Sequence, residues 1–87
     1  MIQVEKIDDS TFKVTVNAGQ TTTHTVTVSP DYYRKLTGGQ VEPATLVERS
    51  FEFLLDRESN TSILRSFDLP TIQRYFPEYE RTISSAW

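Results

Sequence analysis

The chain contains no cysteine, one histidine, one methionine, three glycines and no long apolar run. Each scarcity narrows what the molecule can be. Without cysteine there is no disulfide framework and no thiolate for nucleophilic or metal chemistry, so the interior must hold itself together by packing. A lone histidine leaves no partner for a two-histidine metal site, and no carboxylate spacing matches a calcium loop. No stretch approaches an 18-residue apolar span, and the amino terminus, MIQVEKIDDS, has no apolar signal region. The expectation is a protein of the cytoplasm with no membrane segment.

Basic excess is missing as well. Residues 1–28 carry two basic and three acidic groups, residues 29–59 four and six, and residues 60–87 three and three, for a net charge of −3. No segment therefore supplies the cationic footprint that phosphate backbones demand, which argues against nucleic acid as a partner. Gly38-Gly39 lacks the spacing of a phosphate-binding loop and follows a helical pattern, so it reads as a helix stop. Nothing in the chain calls for a cofactor.

What is present is enough apolar material for one domain spanning residues 1–87, with five Phe, four Tyr and one Trp as its bulk. The first 28 residues alternate with the two-residue period of half-buried strands. This predicts an antiparallel three-stranded meander over residues 2–7, 11–17 and 22–28. Parity sets Val4 opposite Val14 and Glu5 opposite Lys13, a favourable cross-strand charge pair. A turn centred on Gln20, with Gly19 free to take positive φ, would set Val14 opposite Val26. The other face, with Gln3, Lys13, Thr15, Thr25 and Thr27, reads as a wet β-surface.

After Val28 the period becomes helical, and helices are expected over 30–37, 43–58, 62–67, 69–76 and 77–84. Ser29-Pro30-Asp31 reads as N-cap, first-turn proline and dipole-matched acid. In the 43–58 helix, Leu46, Val47, Ser50, Phe51, Phe53, Leu54 and Leu55 sweep an arc of roughly 200°, too wide for one sheet face. It must meet a second surface, either the C-terminal helices or another copy, and the former are nearer at hand. Asn60, Thr61 or Ser62 would cap the 62–67 helix and Asp68 the next. Pro77 forces a break, and the tail to Trp87 should fray. The overall class is α+β.

Candidate sites follow from residue type. Tyr32, Tyr33, Tyr75 and Tyr79 suit a half-wet protein interface, although tyrosine also packs at core edges. Glu48, Glu52 and Asp56 recur at i, i+4 and i+8, an acidic ridge that either faces solvent or meets a basic partner. His24 shares the face of Val26 and reads as a hydrogen-bonded residue at the core edge. No orienting carboxylate or nucleophile accompanies it for catalysis. The free edges of the first and third strands, and the wide apolar arc, leave homodimerisation open.

Two resemblances sit beside these readings. Thr71-Ile72-Gln73-Arg74-Tyr75-Phe76-Pro77 resembles the end of the recognition helix of TetR-type repressors. That likeness implies Thr71, Gln73 and Arg74 at a DNA groove and Arg65 at a phosphate. More broadly, HTVTVSPDYYRKLTGG, SFEFLLDRE and SILRSFDLPTIQRYFPEYE together resemble a family of short bacterial proteins of unknown function. This implies a free-standing bacterial domain and no particular activity. The leading expectation is a non-enzymatic binding or adaptor domain acting through protein contact, and the alternative is a small DNA-binding regulator or antitoxin.

Overall fold

The computed structural model describes residues 1–87. Three strands open the chain as expected: β1 (Ile2–Asp8), β2 (Thr11–Ala18) and β3 (Gln20–Thr27), antiparallel in sequence order. Val4 stands opposite Val14 and Glu5 opposite Lys13, the register that parity requires. Those two charges do not form the local ion pair, which runs from Lys6 to Asp9 at 3.5 Å. The ladder slips between Lys6 and Asp8, and Ile7, left in the bulge, is 56% exposed.

The second hairpin corrects the expected register. Val14 faces His24 and Phe12 faces Val26, so the turn centres on Gly19, not Gln20. Gly19 has φ +85°, a conformation only glycine adopts without strain, and that requirement fixes the centre. The shift is two residues, so every side chain keeps its face. Phe12, Val14, Val16, His24 and Val26 are all buried on the inner side.

Helix α1 (Pro30–Thr37) is capped as its sequence predicts. The Ser29 hydroxyl accepts from the Tyr32 amide, and Gly38 closes the helix in the left-handed region. Helix α2 (Pro43–Leu55) is three residues shorter than the expected 43–58 and lies over the sheet. Its two apolar sides find different partners. Phe51 lies 5.3 Å from His24 and 6.0 Å from Phe67, on the sheet side. Phe53 meets Phe76 at 5.9 Å and Tyr79 at 5.2 Å, edge to face, on the helical side. The wide arc is thus consumed within the chain.

Residues 60–69 overturn the expected 62–67 helix. Asn60–Ser62 form one 3₁₀ turn, and β4 (Ser66–Asp68) runs parallel to β3 as a fourth strand. The Thr25 amide donates to the Arg65 carbonyl at 2.7 Å, and the Leu69 amide donates to the Thr27 carbonyl at 2.9 Å. Once β3 offers those unpaired groups, pairing satisfies more backbone than an isolated helical turn could. Asp68 accordingly accepts from the Thr27 hydroxyl instead of capping a helix. The Thr25–Thr27 end of β3 is therefore not a free edge, and β1 and β4 are the outer strands.

The chain ends in α3 (Thr71–Tyr75) and α4 (Tyr79–Ser84), separated at Pro77. Gln73 bridges the break: its amide donates to the Pro77 carbonyl at 2.7 Å and accepts from the Glu80 amide at 2.9 Å. The tail does not fray freely, because Trp87 packs against the core and its indole donates to the Leu36 carbonyl at 2.8 Å. No helix is long and apolar enough to cross a membrane.

Candidate functional site

The C-terminal end of α2, the 62–64 segment, β4 and α3 enclose an open cavity of about 230 Å³. Its walls are mainly apolar: Leu54, Ile63, Phe67, Ile72 and Phe76 form the floor, with Leu64 and Tyr75 above them. Local backbone explains the two rim residues. Ile63 is extended, with φ −76° and ψ 137°, so burying it turns its neighbour Leu64 outward. On α3, Ile72 points into the core and Tyr75, three residues on, reaches the rim before Pro77 ends the helix. Leu64 is 48% exposed and Tyr75 67%.

One acid lines this apolar hollow. Glu58 follows α2, and burial alone holds its carboxyl above the ordinary glutamate range, with no hydrogen bond or neighbouring charge acting on it. Of the other nearby acids, Asp56 stands in water without a partner and two are paired. Glu52 pairs with Arg49 at 2.9 Å, and Glu78 with Arg57 at 3.0 Å. A backbone hydrogen bond and then Arg57 hold Glu78 below its usual range. Arg57 also lies 3.6 Å above the Phe53 ring and donates to the Phe53 carbonyl at 3.1 Å, so it is committed away from Glu58.

A second, polar hollow of about 500 Å³ opens beside the β2–β3 hairpin, lined by Thr22, His24, Asn60 and Arg65 among others. Here His24, Thr22 and Asn60 answer one another, while the Arg65 guanidinium makes no ion pair or side-chain hydrogen bond. His24 Nδ1 donates to the Leu64 carbonyl at 2.7 Å, which leaves Nε2 to accept from the Thr22 hydroxyl at 2.9 Å. The Asn60 amide donates to Thr22 Oγ1 at 3.0 Å and to the Gln20 carbonyl at 2.9 Å. With both ring nitrogens engaged and 1% of its surface exposed, His24 is a structural member of the sheet.

The residues singled out in the sequence scatter. Tyr79 is fully buried and its hydroxyl meets Ser50 Oγ at 2.6 Å; Ser50 donates onward to the Leu46 carbonyl at 2.7 Å. It is a core residue and belongs to no interface. Tyr32 is half-buried, donating to Glu80 at 2.9 Å, and Tyr33 donates to the Val41 carbonyl. Glu48 and Glu52 are exposed on α2, and Asp56 is exposed at its C-cap. Of the residues tied to DNA, Thr71 lines the apolar cavity, Gln73 is spent on the Pro77 break, and Arg65 borders the polar hollow. Arg74 is exposed on a five-residue helix. Arg65 lies outside α3, before β4, and the helix that would precede α3 in a helix-turn-helix is the strand β4.

Sequence reading missed Leu64 and Glu58. Strand-like alternation of Ile63 and Leu64 was the one available signal for the former. Glu58 carries no such signal, since its surroundings come from residues 54–76 folding back on themselves.

No protein-family model, no curated protein and no solved structure matches the chain. The groove's own chemistry is what points to a role.

Proposed function

We propose that this chain is a non-enzymatic binding domain of the cytoplasm that docks a partner protein through the apolar groove between α2, β4 and α3. One observation carries the reading: Leu64 and Tyr75 stand 48% and 67% exposed over an apolar floor that already exists in the free chain. Scattered surface leucines need no explanation, but two large apolar residues framing a preformed hollow have the form of an interface core. Tyrosine is among the residues that carry binding energy when a contact closes over them. The cysteine-free composition suits a reducing compartment. The wider resemblance to short bacterial proteins adds a setting but no activity.

The test is affinity selection of a random dodecapeptide display library on the folded protein. Peptides that bind the native chain, and not a Leu64→Ser/Tyr75→Ser double variant of unchanged circular dichroism, are expected. Selection that proceeds equally on both proteins, or yields nothing above a blank surface, would end the reading.

A further inference from the structure

The groove is apolar and yet holds an acid that nothing in the chain neutralises. We propose that the partner segment seated there combines one aromatic or branched aliphatic side chain with a lysine or arginine close beside it, the apolar group entering the cavity and the cation reaching Glu58. This inference rests on the docking reading above and specifies its chemistry.

Size sets the first half. A cavity of roughly 150 Å³ lined by aliphatic and aromatic side chains holds one benzene. At about 230 Å³ this groove takes one ring or one branched side chain with its stem, and not two rings. The floor residues Leu54, Ile63, Ile72 and Phe76 offer only carbon to that group.

Charge sets the second half. Glu58 is partly removed from water by its apolar surroundings, which raises the free energy of its ionised form. The nearest cation in sequence, Arg57, is held by Glu78, the Phe53 carbonyl and the Phe53 ring. Glu58 also lies just beyond the C-terminus of α2, where the 13-residue helix presents the negative end of its dipole. Carboxylate and helix end attract the same sign. A chain of net charge −3 reinforces that preference at longer range and repels acidic peptides, fatty acids and nucleic acid alike. An apolar group alone would dehydrate Glu58 further without an answering charge, so a bare hydrophobic segment is the poorer occupant.

Sequencing the selected dodecapeptides, and measuring their affinity for Glu58→Gln and for a Glu48→Gln control, tests the proposal. Enriched peptides should place Lys or Arg within two residues of Phe, Tyr, Leu or Ile. Their affinity should fall about five-fold on Glu58→Gln, as for a partly screened ion pair, fall with added salt, and stay unchanged on Glu48→Gln. Peptides that need Leu64 and Tyr75 but ignore Glu58→Gln would overturn the partner chemistry and leave the docking groove standing. Peptides indifferent to all these positions would overturn both. Sedimentation of the native chain as a dimer that dissociates in Leu64→Ser would assign the groove to a second copy, and would overturn the proposal as well.

Discussion

The two hollows of this molecule are built from the same segment and differ in what they leave undone. Residues 60–65 wall both of them. On the hairpin side, Asn60, Thr22, His24 and the Leu64 carbonyl form a closed relay in which each donor has its acceptor. On the α3 side, Leu64 and Tyr75 remain in water and Glu58 remains unpaired. The lesson is that polarity does not mark a functional site. A histidine and an asparagine drew attention by type, yet their chemistry is exhausted in joining residues 60–65 to the sheet. Apart from the Arg65 guanidinium, the unspent interactions lie in the plainer, apolar hollow.

That contrast can be broken by substitution, and the expected effects fall in order. Phe51 lies beneath both regions, touching His24 and Phe67, and is fully buried. Phe51→Ala should destabilise the fold by roughly 3–5 kcal/mol in urea unfolding, the range for a core aromatic truncated to alanine. Next comes Asn60→Ala, which takes the buried amide away from the Gln20 carbonyl and leaves the Thr22 hydroxyl its bond to His24 alone. A loss of about 1–3 kcal/mol is expected, as for buried groups deprived of their partner. If Asn60→Ala proved neutral, the polar hollow would not be the closed network described.

Tyr75→Ser should change stability by less than about 0.5 kcal/mol, and Leu64→Ser, whose side chain is half covered, by about 1 kcal/mol. Their effect belongs to binding. A large loss of stability in either would show that these residues hold the core and would remove the distinction between the two hollows.

The smallest effect is the most specific. Burial raises the Glu58 carboxyl, so the folded state holds that proton more tightly than the unfolded state. Stability from this group is therefore greatest at low pH. It declines as pH climbs from about 4.3, the unperturbed glutamate value, through the raised folded value. Glu58→Gln should equal the native chain below that window and exceed it at neutral pH, by no more than about 0.5 kcal/mol. Asp8 and Glu78 act in the opposite sense, since their carboxyls are lowered by hydrogen bonds, and their contribution fades as pH falls. Comparing the two proteins across pH cancels those shared terms. A native chain more stable than Glu58→Gln at neutral pH would mean that Glu58 is already satisfied.

Much of this architecture was legible from residue order. The Val4–Val14 register, the Ser29 cap, the stop at Gly38 and the two-sided burial of α2 each follow from spacing and stereochemistry acting over a few residues. Parity could not separate a hairpin centred on Gln20 from one centred on Gly19, because both keep Val14 on the same face. The demand for positive φ decides between them. The strand β4 was illegible for another reason. Ile63, Leu64 and Phe67 fit a helical stripe equally well, and only the open edge of β3, which is set by distant residues, makes them extend. The groove inherits that obscurity, since it exists only once β4 has formed. Tyr79 shows the converse error: its phenol looked suited to a surface, and a single hydroxyl from Ser50 is enough to keep it inside.

The central claim is that the apolar hollow, and not the polar one, receives a ligand. Backbone amide NMR during titration with a selected dodecapeptide measures this most directly. Shifts concentrated at Leu54, Glu58, Leu64, Ile72 and Tyr75, with Gln20 to Thr23 undisturbed, are the predicted result. Shifts centred on Thr22, His24 and Asn60 would contradict it.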